Sequence, residues 1–148
     1  MKKLHVLPHE WVVVCDGRKA LILENVGDDR FPNLRCREEH DHPDPPTHEL
    51  GTSGPGRVHQ SAGIARSSVE STDLHDQSEQ RFLGWLAHHL DAAVTKGDAK
   101  AVIIVAPPRA LGVLRHAYSP KLRAALKAEI DKDYVKTPIH EIEKQLFG

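Results

Sequence analysis

The chain has 148 residues, 39% hydrophobic and 28% charged, which is the size and balance of one globular domain with enough residues to bury a core. A formal net charge of -1 excludes a uniform basic field for nucleic acid or an anionic membrane, leaving room only for a local basic patch. Two cysteines make no disulfide framework, no apolar run approaches the roughly 18 residues of a membrane helix, and Met1–His9 has no apolar signal core. A cytoplasmic, reducing location is the expectation.

Trp11-Val12-Val13-Val14-Cys15 is a continuous apolar run and predicts a central strand buried on both sides. Asp16-Gly17 gives a turn signal, and Lys19 to Glu24 reads as a second strand, so the pair forms a hairpin. Leu34, Cys36 and Glu38 alternate with Arg35, Arg37 and Glu39, predicting a third and more exposed strand at an edge. Both cysteines lie in apolar or strand-like runs, where a free thiol behaves as a small hydrophobe. From Asp41 to Gly63 prolines and glycines punctuate the chain and apolar periodicity vanishes, predicting a mobile loop.

A long helix follows, with Asp73 as its expected N-cap and Asp76 and Glu79 near the positive end of its dipole. Phe82, Leu83, Leu86, Leu90, Ala93 and Val94 form its core face, and Lys96-Gly97 stops it. Ala101 to Val105 reads as a second buried strand, reached by a crossover and parallel to a central one. Pro107-Pro108 starts a short helix, and Ser119-Pro120 caps another that the spacing of Leu122, Ala125, Leu126 and Ile130 extends. Tyr134-Val135 reads as a last short strand. Thr137-Pro138 repeats the cap before a terminal amphipathic helix. The order is that of one α/β domain with a mixed five-stranded sheet flanked by helices, of ribonuclease-H-like topology.

The run Ala106-Pro107-Pro108-Arg109-Ala110-Leu111-Gly112-Val113-Leu114-Arg115 resembles the best-marked motif of the host-attachment family. Ser119-Pro120-Lys121-Leu122, Glu129 to Asp133 and Thr137 to Ile142 extend the likeness, and Trp11 to Gly17 and Leu74-His75-Asp76 fit upstream. The resemblance implies a bacterial protein needed for attachment to host cells. It also implies kinship with the middle domain of archaeal and eukaryotic peptide-chain release factors, which carries a Gly-Gly-Gln loop. At the matching place stands Gly56-Arg57-Val58-His59-Gln60-Ser61, which keeps a Gln but lacks the backbone freedom of two preceding glycines. Association with RNA or the ribosome is what this resemblance leaves, with a protein partner as the other possibility.

The 11 histidines are many for this length, and charge should swing positive as pH falls through about 6. His40-Asp41-His42, with His48 and His59, offers metal-ligand types, but the spacing matches no zinc signature. No metal or cofactor is expected. Asp16 and Glu79 are carboxylates of the kind a two-metal nuclease needs, yet Ala106-Pro107-Pro108 brings none at the end of the fourth strand. The binding residues expected are Arg109, Arg115, Lys121 and Arg123, beyond the end of that strand where open α/β sheets take ligands, joined by Arg57 and Gln60. The reading is a non-enzymatic binding protein. Its alternative is a hydrolase, metal-dependent or release-factor-like, built on the 41–63 loop.

Overall fold

A computed structural model describes residues 4–41 and 67–148, with side chains of the second stretch from residue 76 onward. The elements are β1 (Trp11–Cys15), β2 (Lys19–Asn25), β3 (Leu34–Asp41), α1 (Ser67–Lys96), β4 (Val102–Ala106), α2 (Pro108–Ala117), α3 (Pro120–Ala125), β5 (Leu126–Asp131) and α4 (Ile139–Phe147). They build one five-stranded mixed sheet in the order β3-β2-β1-β4-β5. The first three strands form an antiparallel meander, while β4 runs parallel to β1 and β5 parallel to β4. Val12 lies opposite Ile103 and Val13 opposite Ile104, so the two continuous apolar runs are adjacent central strands, as expected.

Every residue of β1 and β4 is buried because helices cover both faces. Trp11, Val13, Cys15, Ile22, Val102 and Ile104 pack against Leu83, Leu86 and Leu90 of α1, Leu111 and Leu114 of α2 and Leu122 of α3. On the other face Val12, Val14, Leu23, Ile103 and Val105 pack against Ile142 and Phe147 of α4. Burial pushes the Cys15 thiol up to about 12, so it is an inert core atom, whereas Cys36 is exposed on the edge strand and does not pack as a hydrophobe.

Several boundaries differ from the sequence reading. The long helix begins at Ser67, placing Asp73 inside it rather than at its cap; neither proline nor glycine interrupts 67–83, so nothing stops the helix from propagating backward. It ends as expected at Gly97, φ 87°, where Gly97 N–H donates to Val94 and Asp98 N–H to Ala93. Leu126 to Asp131 is the fifth strand, not a continuation of the helix, which stops at Ala125. Leu126, Ala128 and Ile130 satisfy a two-residue period as well as a helical one, and pairing with β4 decides between them. Tyr134-Val135 is a turn closed by Thr137 N–H onto the Tyr134 carbonyl. Pro138, not Thr137, occupies the cap of α4, without a side-chain hydrogen bond. Asp41 closes β3; the rest of the 41–63 loop, with Arg57 and Gln60, lies outside the described residues.

Both edge strands carry a register shift. On β3, Leu23 faces Cys36 but Ile22 faces Glu38, so Arg37 is the extra residue of a bulge. On β5, Val102 faces Leu126 but Ile103 faces Ala128, making Lys127 the extra residue. A bulge shifts the alternation by one and reverses which face the following side chains occupy. Glu38 and His40 therefore share the face of Ile22 and Ala20, toward α1, opposite to Leu34 and Cys36.

Candidate functional site

Beyond the C-terminal ends of β1 and β4 lies a crevice of about 250 Å³ lined by Asp16, Gly17, Arg18, Glu79, Leu83, Pro107 and Arg109, among others. The sequence forms it locally. Asp16 Oδ1 accepts from the backbone N–H groups of Arg18 and Lys19, both at 2.8 Å, and so folds the turn. Gly17 lets α1 come close, since a Cβ there would stand 2.8 Å from the Glu79 carboxylate carbon. Pro107-Pro108 ends β4 and starts α2, which presents Arg109 over the crevice.

Of the expected binding residues among the described residues, only Arg109 lines this crevice. It forms an ion pair with Asp76 and lies 3.6 Å from Glu79, both on α1. Arg115, Lys121 and Arg123 are carried away along α2 and α3 toward β5. Arg115 Nε donates to Glu129 at 3.0 Å, and Arg123 Nη2 donates to the Arg115 carbonyl at 2.6 Å while its guanidinium covers the Tyr118 ring. Tyr118 donates to Glu129 at 2.8 Å; burial and that carboxylate raise its pKa, keeping the phenol protonated. Lys121 is exposed. The arrangement joins Arg115 to Arg123 and sets Arg109 apart, with carboxylates beside two of the three guanidiniums. Exposed pairs of this kind are worth about 0–1 kcal/mol, so an incoming anion can exchange for the carboxylates.

A second constellation escaped the sequence reading. His40 Nε2 and His89 Nε2 stand 2.8 and 2.7 Å from the same oxygen, Oε1 of Glu38. Trp85 stacks on the His89 ring at 4.9 Å and 15°, and meets His40 edge-on at 4.8 Å. Burial pushes the Glu38 carboxyl up, but the hydrogen bonds from His40 and His89 outweigh it and hold the group below its ordinary value. Of the histidines weighed as ligands, His40 is the one within the described residues, and its partners come from one strand and a helix far along the chain. Alternation along the strand places Glu38 with Leu34 and Cys36, and only the bulge at Arg37 reverses it. A helical spacing of Trp85 and His89 was the one signal within reach. Beside the cluster a groove of about 510 Å³ is lined by Glu39, His40, Asp41, Arg81, Phe82 and Trp85.

A mixed sheet covered by helices on both faces, with a crevice at its parallel strand ends and no helix among the described residues long and apolar enough to cross a membrane, defines an α/β protein. The family described as protein required for attachment to host cells matches residues 11–146, and the chain belongs to it. No curated protein matches the chain.

Proposed function

We propose that this chain is a single-domain, non-enzymatic binding protein of the host-attachment family, and that it binds RNA, free or within the ribosome. The proposed surface is the Arg115, Lys121 and Arg123 flank with Arg109 at the neighbouring crevice, together with Arg57 and Gln60. The observation that carries this is the hydrogen bond from the Arg123 guanidinium to the main-chain carbonyl of Arg115, which ties α3, with Arg123 and exposed Lys121, to the end of α2, with Arg115. Guanidiniums grip phosphate oxygens bidentately and stack on bases, and the carboxylates already beside them mark positions an anion can take. The strand order β3-β2-β1-β4-β5 also supports a ribonuclease-H-like topology and, through it, the likeness to the release-factor middle domain.

The test is an RNA-binding titration of the wild type against Arg109→Ala plus Arg115→Ala at low and moderate salt. The expected result is measurable wild-type binding that weakens steeply with salt, and a double variant whose salt slope is lower by up to about 2. Equal binding by both proteins, or none by either, removes the nucleic-acid reading and leaves a protein partner. The hydrolase reading keeps one observation in its favour, that Asp16 and Glu79 line the same crevice. Turnover of a generic phosphodiester that Asp16→Ala abolishes would establish it instead.

A further inference from the structure

We propose that Glu38, His40 and His89 form a site for one divalent transition-metal ion of the zinc class. Their ligand atoms all lie within 4.8 Å of one another, on two different elements. Ligands held about 2.0–2.2 Å from a common ion stand roughly 3–3.5 Å apart. Both imidazole nitrogens are 2.7 to 2.8 Å from one carboxylate oxygen, and all three ligand atoms lie within 4.8 Å, so an ion between them needs that oxygen to withdraw by several tenths of an ångström and the two nitrogens to stand about 3.5 Å apart. A neutral imidazole carries one ring proton; where Nε2 donates it to Glu38, binding of the ion at Nε2 transfers that proton through solvent to Nδ1, so each ring stays neutral.

The donor set selects the metal. Two imidazoles and one carboxylate suit zinc, iron, cobalt, nickel and copper, whereas magnesium and calcium require oxygen cages. Three protein ligands also leave a position for solvent or a small ligand, on the side of the groove that His40, Arg81 and Trp85 line.

The surroundings fix the ligands. The bulge at Arg37 turns Glu38 and His40 onto the α1 face, and bulges re-aim side chains in this way next to sites. Trp85 touches both imidazole rings, so their planes are set by packing rather than left to solvent. The side chains of Glu38, His40 and His89 are 27, 29 and 32% exposed, which is accessible to an ion yet partly shielded from water. Arg37 Nε, 3.8 Å from Glu38 Oε2, is the cation already present, and it engages the oxygen that the histidines do not use.

The experiment is calorimetric titration of the full chain, stripped by a chelator, with zinc, and in parallel a nickel titration followed by tryptophan emission. Trp85 stacks on a proposed ligand, whereas Trp11 is buried in the core, so bound nickel should quench Trp85. The expected result is one zinc per chain at this site, with affinity at least about tenfold weaker in Glu38→Gln and in His89→Ala. His88→Ala, an exposed neighbour on α1, should bind as the wild type does, and Trp85→Phe should bind zinc while losing the nickel quench. The chain has 11 histidines, so binding that neither Glu38→Gln nor His89→Ala weakens would place the metal elsewhere and overturn the proposal. No saturable zinc binding, or magnesium binding as strong as zinc, would overturn it too. Should His89→Ala fail to fold, Glu38→Gln, which preserves shape, decides alone.

Discussion

Asn25 sits at the end of β2 with its side chain fully enclosed. Its amide donates to the carbonyls of Val6 (3.1 Å) and Asp28 (3.2 Å) and accepts from the N–H groups of Gly27 (2.9 Å) and Asn33 (2.8 Å). One side chain thus satisfies three backbone groups of the loop joining β2 to β3 and one of the segment before β1, where helix or sheet bonds are unavailable. Removing it strands those groups away from water, and each orphan costs on the order of 1 kcal/mol or more. Asn25→Ala should therefore destabilise the fold by about 3 kcal/mol, read as a lower urea midpoint at unchanged slope. A loss below about 0.5 kcal/mol would mean that water reaches the loop and replaces the amide. Nothing in the sequence distinguished this asparagine from an ordinary turn residue, because its partners are brought to it by the fold. The same holds for Glu10, which is buried and meets Lys127 at 2.7 Å across most of the chain's length.

At the scale of elements, the sequence was most legible where one period dominates. The runs Trp11 to Cys15 and Val102 to Ala106 admit no reading but buried strands, and the apolar face of α1 is plain from Phe82 onward. Legibility failed where two periods fit the same residues, as in Leu126 to Asp131, and where a bulge changes phase, as at Arg37 and Lys127. A bulge leaves no mark in composition, so the reversal that turns Glu38 and His40 toward α1 could not be seen before the strands were paired. The caps divide likewise. Ser119 does what its type suggests: its hydroxyl accepts from Leu122 N–H at 3.0 Å, and it also donates to Asp91 of α1. In a helix of only six residues, that tie adds to the packing of buried Leu122 in holding α3 against the sheet. Ser119→Ala should cost about 1–2 kcal/mol, the upper part of the range for an N-cap, whereas Thr137→Ala, without a cap bond, should cost under about 0.5 kcal/mol by thermal denaturation. Equal effects would show that Ser119 contributes nothing through its hydroxyl.

For the whole molecule, the described elements layer the sheet unevenly, with α1, α2 and α3 on one face and α4 on the other. Backbone amides of β1 and β4 are covered from both sides and flanked by paired strands, so they should exchange with deuterium only through global unfolding. Amides of β3 and β5 should exchange faster through local fraying at the edges. Protection in β3 equal to that in β1 would show that something covers the edge. The family and the α/β architecture were readable from the apolar runs and the Pro-Pro-Arg segment. The basic flank was readable as a set of residue types, but not as a set already paired with Asp76, Glu79 and Glu129. The parallel pairing of Trp11 with Val102 also bears on how the chain is made. On a ribosome β1, β2 and β3 emerge together and can close their meander at once, but the partner for the other side of β1 is delivered only after α1 has been synthesised. Until then Val12, Val13 and Val14 present an open, apolar strand edge, and such edges are templates for pairing with other chains. The interval between translation of Cys15 and translation of Ala106 is thus one in which the strand that later lies at the centre of the sheet is open to pairing with other chains.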